Sequence, residues 1–133
     1  MDNHSCVKIL NEWDIVAARQ LGRNIARELH FGAVDQARIT TAISELARNI
    51  FIYAGQGEIR IEKVLQNGKK GLKVIATDKG PGIENIRKVM EDGYSTSGGL
   101  GAGLPGVRRL MDEFDIVSAP NEGTTVTAIK WIR

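Results

Sequence analysis

Near the middle of this chain two strand-like runs meet at Asn67-Gly68, and that hairpin limits the fold more than any other feature. The run Glu58-Ile59-Arg60-Ile61-Glu62-Lys63-Val64 alternates as a half-buried strand does. Asn-Gly is a two-residue turn signal, and Leu72 to Thr77 reads as the returning strand. Upstream, Val7 to Leu10 is a short apolar run that reads as a first strand. Asn11 followed by Asp14 has the spacing of a helix N-cap with an acidic N3 residue, opening a helix from Glu12 to Leu29. Gly32 is expected to end it in a left-handed turn. A second helix, from near Asp35 to about Ala54, carries Ile39, Ala42, Ile43, Leu46, Ile50 and Tyr53 at steps of three and four. Gly55 and Gly57 break its pattern.

Beyond the hairpin, Pro81 and Gly82 force a turn, Ile83 to Glu91 has the pattern of a short helix, and Leu104 to Phe114 reads as another. Asp115 to Ala119 and Thr124 to Ile132 form a last strand pair across Pro120-Asn121-Glu122-Gly123. The order β-α-α-β-β-α-α-β-β, with hairpins and helices grouped, predicts an α+β fold. It is a two-layer α/β sandwich whose mixed, mostly antiparallel sheet is covered on one face by helices, not an alternating βαβ wheel. The 133 residues suit one domain spanning 1–133, with no repeat or linker.

Eighteen basic residues against 16 acidic ones give a net charge of +2, too balanced for a nucleic-acid groove. No apolar run approaches a membrane span and the N-terminus is no signal peptide, so the expected compartment is the cytosol. The one cysteine, Cys6, reads as a small strand residue. Glycine is the unusual component: of 15 copies, six lie between Gly93 and Gly106. Such clustering suits a loop built for backbone contact or motion, and predicts amides that exchange freely without ligand.

Three segments carry chemistry in this order: Glu45-Leu46-Ala47-Arg48-Asn49, Asp78-Lys79-Gly80-Pro81-Gly82, and Gly99-Leu100-Gly101-Ala102-Gly103-Leu104. At these separations they describe an ATP pocket. Glu45 and Asn49 stand about 40° apart on the second helix, on the shoulder of its apolar stripe. There a carboxylate can take a proton from a hydroxyl and an amide oxygen can hold Mg²⁺. Both equally suit a solvated shoulder, with Glu45 pairing to Arg48. Asp78 ends a strand, where its carboxylate can accept from an adenine amino group while Gly80 and Gly82 let the backbone approach a flat ring; the same residues also make an ordinary turn. The segment Gly98 to Gly106 ends at a helix start, whose free amides favour phosphate oxygens, or it is simply a flexible loop. Thr124 and Thr125 open the last strand, as supports for Asp78 or a water, or as plain β-formers. Arg108 and Arg109 suit a phosphate or a solvent face.

Gly101 to Gly106 matches G-x-G-x-x-G, but Tyr94-Ser95-Thr96-Ser97 before it is loop-like, so a dinucleotide site is not expected. His4 and His30 have no partner pattern, and there is no G-x-x-x-x-G-K-[ST], H-R-D or D-F-G segment.

The pattern E-x-x-x-N, D-x-G-x-G, G-x-G-x-G-L and G-T resembles the Bergerat-fold (GHKL) superfamily of gyrases, Hsp90-type chaperones, histidine kinases and MutL proteins. The likeness runs from Glu45 to Thr125. Three longer segments resemble the serine/threonine kinases of the bacterial general stress pathway, in the anti-sigma-factor kinase-like branch. They are Asn11 to Gln20, Ser44 to Ile50, and Glu91-Asp92-Gly93 continued by Ser95 to Gly106.

The resemblance implies that Asn49 holds Mg²⁺ against the triphosphate and that Glu45 is the base. It implies that Asp78 reads the adenine, with Gly80 and Gly82 beneath the ring. Gly99, Gly101 and Gly103, with Leu104, form a lid over the phosphates, and Thr125, less surely Thr124, supports the base. Implied partners are two STAS-domain proteins of the stressosome, an antagonist phosphorylated on serine and a co-antagonist phosphorylated on threonine. A PP2C-type phosphatase is the third, activated on release of the kinase toward freeing a stress sigma factor. The chain shows neither a phosphoacceptor histidine helix nor the domain that carries the ATPase lysine of gyrase-like enzymes, which suits a kinase whose nucleophile comes from a partner. Two other functions share the pocket: a nucleotide-gated binding switch and an anti-sigma-factor kinase.

Overall fold

The computed structural model describes residues 4–83, 90 and 103–133. Among the described residues, five strands and three α-helices follow in order: β1 (His4–Ile9), α1 (Trp13–Glu28), α2 (Ala33–Asn49), β2 (Gly57–Gln66), β3 (Lys69–Asp78), α3 (Gly103–Leu110), β4 (Glu113–Ser118) and β5 (Thr124–Trp131). The expected helix from Ile83 to Glu91 lies outside the described residues, except for its first residue and Met90. The strands form one sheet in the order β1-β2-β3-β5-β4, every pairing antiparallel.

The start of α1 is a reciprocal cap. The Trp13 amide donates to Asn11 Oδ1 at 2.9 Å, while the Asn11 and Leu10 amides donate to Asp14 Oδ2 at 3.0 and 2.8 Å. The helix ends differently from expectation. The left-handed residue is His30, with φ 66°, whereas Gly32 is extended and precedes α2. The second helix also departs from one continuous rod. After Asn49 the chain widens into a π turn, Ile50–Ala54, closed by the Gly55 amide on the Ile50 carbonyl at 3.0 Å. Ile50 stays in the core, but Tyr53 swings out to 44% exposure.

The central hairpin is as the sequence predicts. Asn67 and Gly68 both have positive φ, 52° and 80°, which matches the twist of paired strands. Alternation then decides the faces. Ile59 and Ile61 of β2, Leu72, Val74 and Ala76 of β3, and Val126 and Ala128 of β5 are buried beneath the helices. Ile39, Ala42, Ile43 and Leu46 of α2 meet them from above, with α1 and α3 also packed against α2. The helix expected to reach Phe114 stops at Leu110, and Phe114 lies in β4 opposite Ala128.

One buried charge crosses this arrangement. Lys130, 5% exposed, donates to the Leu110 carbonyl at 2.9 Å and lies 3.6 Å from Asp112 and 3.8 Å from Asp35. It thereby ties the last strand to the end of α3 and the start of α2. Asp112 also accepts from the Trp131 amide at 2.8 Å and pairs with Arg133. Burial pushes the Asp112 carboxyl up, but the Trp131 amide, Lys130 and Arg133 together hold it below its ordinary value.

Candidate active site

The π turn that follows α2 lies against the end of β3, where Asp78 pairs with the first residue of β5. Glu45 lies on α2 at 4% exposure, deeper than a shoulder position implies. Carboxylates are seldom buried so far in a protein without a specific task or partner. Asn49 is the last residue of α2 and is half-buried. The π turn that follows carries Ala54 to the next segment. A Cβ at Gly80 would lie 2.6 Å from Ala54 Cβ and 2.9 Å from its Cα.

Asp78 is the last residue of β3, paired with Gly57 on one side and Thr124 on the other. Its Oδ1 accepts the Gly80 amide at 2.9 Å, which fixes the carboxylate at the head of the turn. Its Oδ2 makes no hydrogen bond to the described residues, so that oxygen can accept an exocyclic amine. The glycines beside it also have a structural reason within the fold. At Gly82, with φ 78°, a Cβ would lie 1.9 Å from the Ala119 carbonyl oxygen; at Gly123, with φ 81°, it would lie 2.2 Å from the Asp78 carbonyl oxygen. Gly80 and Gly82 therefore permit close approach of protein segments to one another, and Gly123 belongs with them.

Register separates the two threonines. Thr124 stands opposite Asp78 and Ser118, so it shares the helix-covered face with them. Thr125 stands opposite Thr77 and Val117, on the other face, which is where the structure puts the residue first expected beside the base. Thr124 Oγ1 lies 2.7 Å from Ser118 Oγ. Ser118 Oγ in turn donates to the Gly123 carbonyl and accepts the Ile83 amide, each at 2.9 Å. With its one proton donated to the Gly123 carbonyl, Ser118 Oγ accepts from the Thr124 hydroxyl and leaves Thr124 lone pairs free to accept from a water or an amine. Motif spacing does not reveal this contact of Ser118 with Thr124; the pairing of the last two strands is the signal that could have found it.

Gly103, with φ 68°, opens α3, and Leu104 after it is buried against the core. Gly99 and Gly101 lie outside the described residues. Among the described residues no group of three or more His, Cys, Asp or Glu side chains could cage a metal. An Mg²⁺ ion held at the Asn49 amide oxygen would take the rest of its shell from phosphates and waters. Among the described residues no helix is long and apolar enough to cross a membrane.

The chain is similar to several known proteins. Residues 34–132 match the family described as histidine kinase-, DNA gyrase B- and HSP90-like ATPase. The chain is 73% identical over 133 residues, all of both chains, to the serine/threonine-protein kinase RsbT of Bacillus subtilis strain 168. It is 32% identical over 121 residues, 86% of this chain and 83% of the relative, to an anti-sigma F factor of Caldanaerobacter subterraneus subsp. tengcongensis. Two solved structures share the fold. The RsbU and RsbW domains of Rv1364c from Mycobacterium tuberculosis superpose with a TM-score of 0.60 at 21% identity, over 95% of this chain and 32% of that one. The mycobacterial sensor histidine kinase MprB does so with a TM-score of 0.57 at 16% identity, over 98% of each chain. The chain belongs to the histidine kinase-, DNA gyrase B- and HSP90-like ATPase family.

Proposed function

We propose that this chain is an ATP-dependent protein serine/threonine kinase of the cytosol that phosphorylates STAS-domain antagonist and co-antagonist proteins of a stressosome. Once released, it binds and activates a PP2C-type phosphatase, leading to activation of a stress sigma factor. The observation that carries this reading is the likeness to a serine/threonine kinase along the whole chain, not its pocket alone. ATP supplies the γ-phosphoryl group and Mg²⁺ offsets the charge of the triphosphate.

The residues divide the remaining work. Asp78 Oδ2 accepts the adenine amino group, with Thr124 rather than Thr125 beside it as the supporting hydroxyl. Asn49 would hold the metal through its amide oxygen. Gly99, Gly101, Gly103 and Leu104 form the phosphate lid, and the amides at the start of α3 face phosphate oxygens. Glu45 takes the proton of the incoming serine or threonine hydroxyl as its oxygen bonds to phosphorus and ADP leaves. The nucleophile comes from the partner, so this chain's part is positioning and charge.

Transfer of labelled γ-phosphate to a purified STAS antagonist tests the reading, with Glu45→Ala as control. Transfer by wild type alone supports it; equal transfer by both removes Glu45 from its role. The 32% likeness to anti-sigma F factors favours a second reading, an anti-sigma-factor kinase. A pull-down with sigma factor, STAS protein and phosphatase side by side separates the two.

A further inference from the structure

Ser118, the last residue of β4, stands opposite Thr124, the first of β5, and Thr124 stands opposite Asp78 of β3. The three share the helix-covered face at one end of the sheet. A serine hydroxyl has one proton to give and two lone pairs to fill. At Ser118 all three are engaged. The proton goes to the Gly123 carbonyl and one lone pair accepts the Ile83 amide, each at 2.9 Å, and Thr124 Oγ1 lies 2.7 Å from the same oxygen. Gly123 is buried, and a carbonyl left without a donor there is costly. The Thr124 proton therefore points at Ser118. Among the described residues Thr124 Oγ1 has no other hydrogen-bond partner, so it offers lone pairs to whatever approaches from the site.

Asp78 offers the same polarity. Its Oδ1 holds the Gly80 amide, and an ionised carboxylate only accepts. Two acceptors at neighbouring positions suit a group that donates, as the amino group at position 6 of adenine does. Hypoxanthine and guanine carry a carbonyl oxygen at that position, which sets lone pairs against lone pairs. A Thr124 hydroxyl free to rotate would donate to that oxygen and blur the choice. We infer that Ser118 is a positioning residue for base selectivity: by holding the Thr124 proton it makes this end of the site reject 6-oxopurines. The inference rests on the nucleotide site proposed above, and Ser118 acts through Thr124 without touching the base.

Calorimetric titration of the whole chain with Mg²⁺ and either ATP or inosine triphosphate tests it. The two nucleotides differ only at positions 1 and 6 of the ring. Wild type is expected to prefer ATP at least about 100-fold. In Ser118→Ala the preference should fall about tenfold, with inosine triphosphate bound more tightly than by wild type. Ser118→Ala combined with Thr124→Val should show no such gain, because the released donor is gone. Ser118→Cys, close in size with a sulfur that accepts only weakly, reads the same ratio should the alanine variant not fold. An unchanged ratio in the folded variants overturns the inference. So does an equal loss of affinity for both nucleotides, which is what a merely structural serine would produce. Wild type that binds ATP and inosine triphosphate alike removes the inference and leaves the kinase reading standing. Wild type that binds neither removes the nucleotide site and the inference together.

Discussion

Asp78 and Thr124 face each other across β3 and β5, on the side of the sheet that the helices cover. The pairing puts Asp78 and Thr124 at neighbouring positions on one face at the end of the sheet, and Ser118 holds the Thr124 hydroxyl.

That pairing predicts a split between neighbouring threonines. Thr124→Val should weaken ATP binding about tenfold, the order expected for one lost hydrogen bond of about 1.4 kcal/mol. Thr125→Val, on the opposite face, should leave affinity within about twofold. Titration calorimetry of the two variants decides it; equal effects would remove the distinction that register draws.

Glu45→Gln should lower phosphoryl transfer by about 10²-fold or more, the usual contribution of a positioned base, with ATP affinity nearly unchanged. Single-turnover transfer and nucleotide titration read the two separately.

Gly123 has φ 81° and no room for a side chain beside the Asp78 carbonyl. Gly123→Ala is therefore expected to destabilise the fold by about 1–3 kcal/mol. It should disturb nucleotide binding with it, since the displaced atoms belong to Asp78. Thermal unfolding checks the first effect. Gly32→Ala, where nothing lies within 4 Å and the backbone is extended, serves as the neutral comparison.

Acid should weaken the tie at the far end of the sheet. The Asp112 carboxyl is held below its ordinary value of 3.8 in the fold, so its ionised form contributes stability at neutral pH. That contribution is complete above the unfolded value and is lost as pH falls through the lower folded one. Asp112→Asn should reduce the loss of stability on acidification below about pH 4. Denaturant midpoints measured from pH 6 downward test this, and parallel curves for variant and wild type would refute it.

Much of this was legible in residue order. Asn67-Gly68 fixed the central hairpin, and Asn11 with Asp14 fixed the start of α1, because both act through local backbone chemistry. The stripe from Ile39 to Ile50 named the core face of α2 correctly. What was not legible depends on tertiary contact. Helical periodicity does not distinguish an α-helix from the π turn at Ile50–Ala54, so Tyr53 was expected inward and lies outward. Two adjacent threonines look alike in sequence, and only strand register tells Thr124 from Thr125. Ser118 acquires its place from the β4–β5 pairing and from Ile83, 35 positions earlier in the chain.

A magnesium-dependent ATP site built on Asp78 and Asn49 is read without any partner protein by calorimetric titration of the pure chain with ATP. Saturable uptake is expected with Mg²⁺, sharply weaker without it, and lost in Asp78→Ala that remains folded by circular dichroism. No magnesium-dependent uptake by the folded wild type, or undiminished uptake by Asp78→Ala, would contradict it.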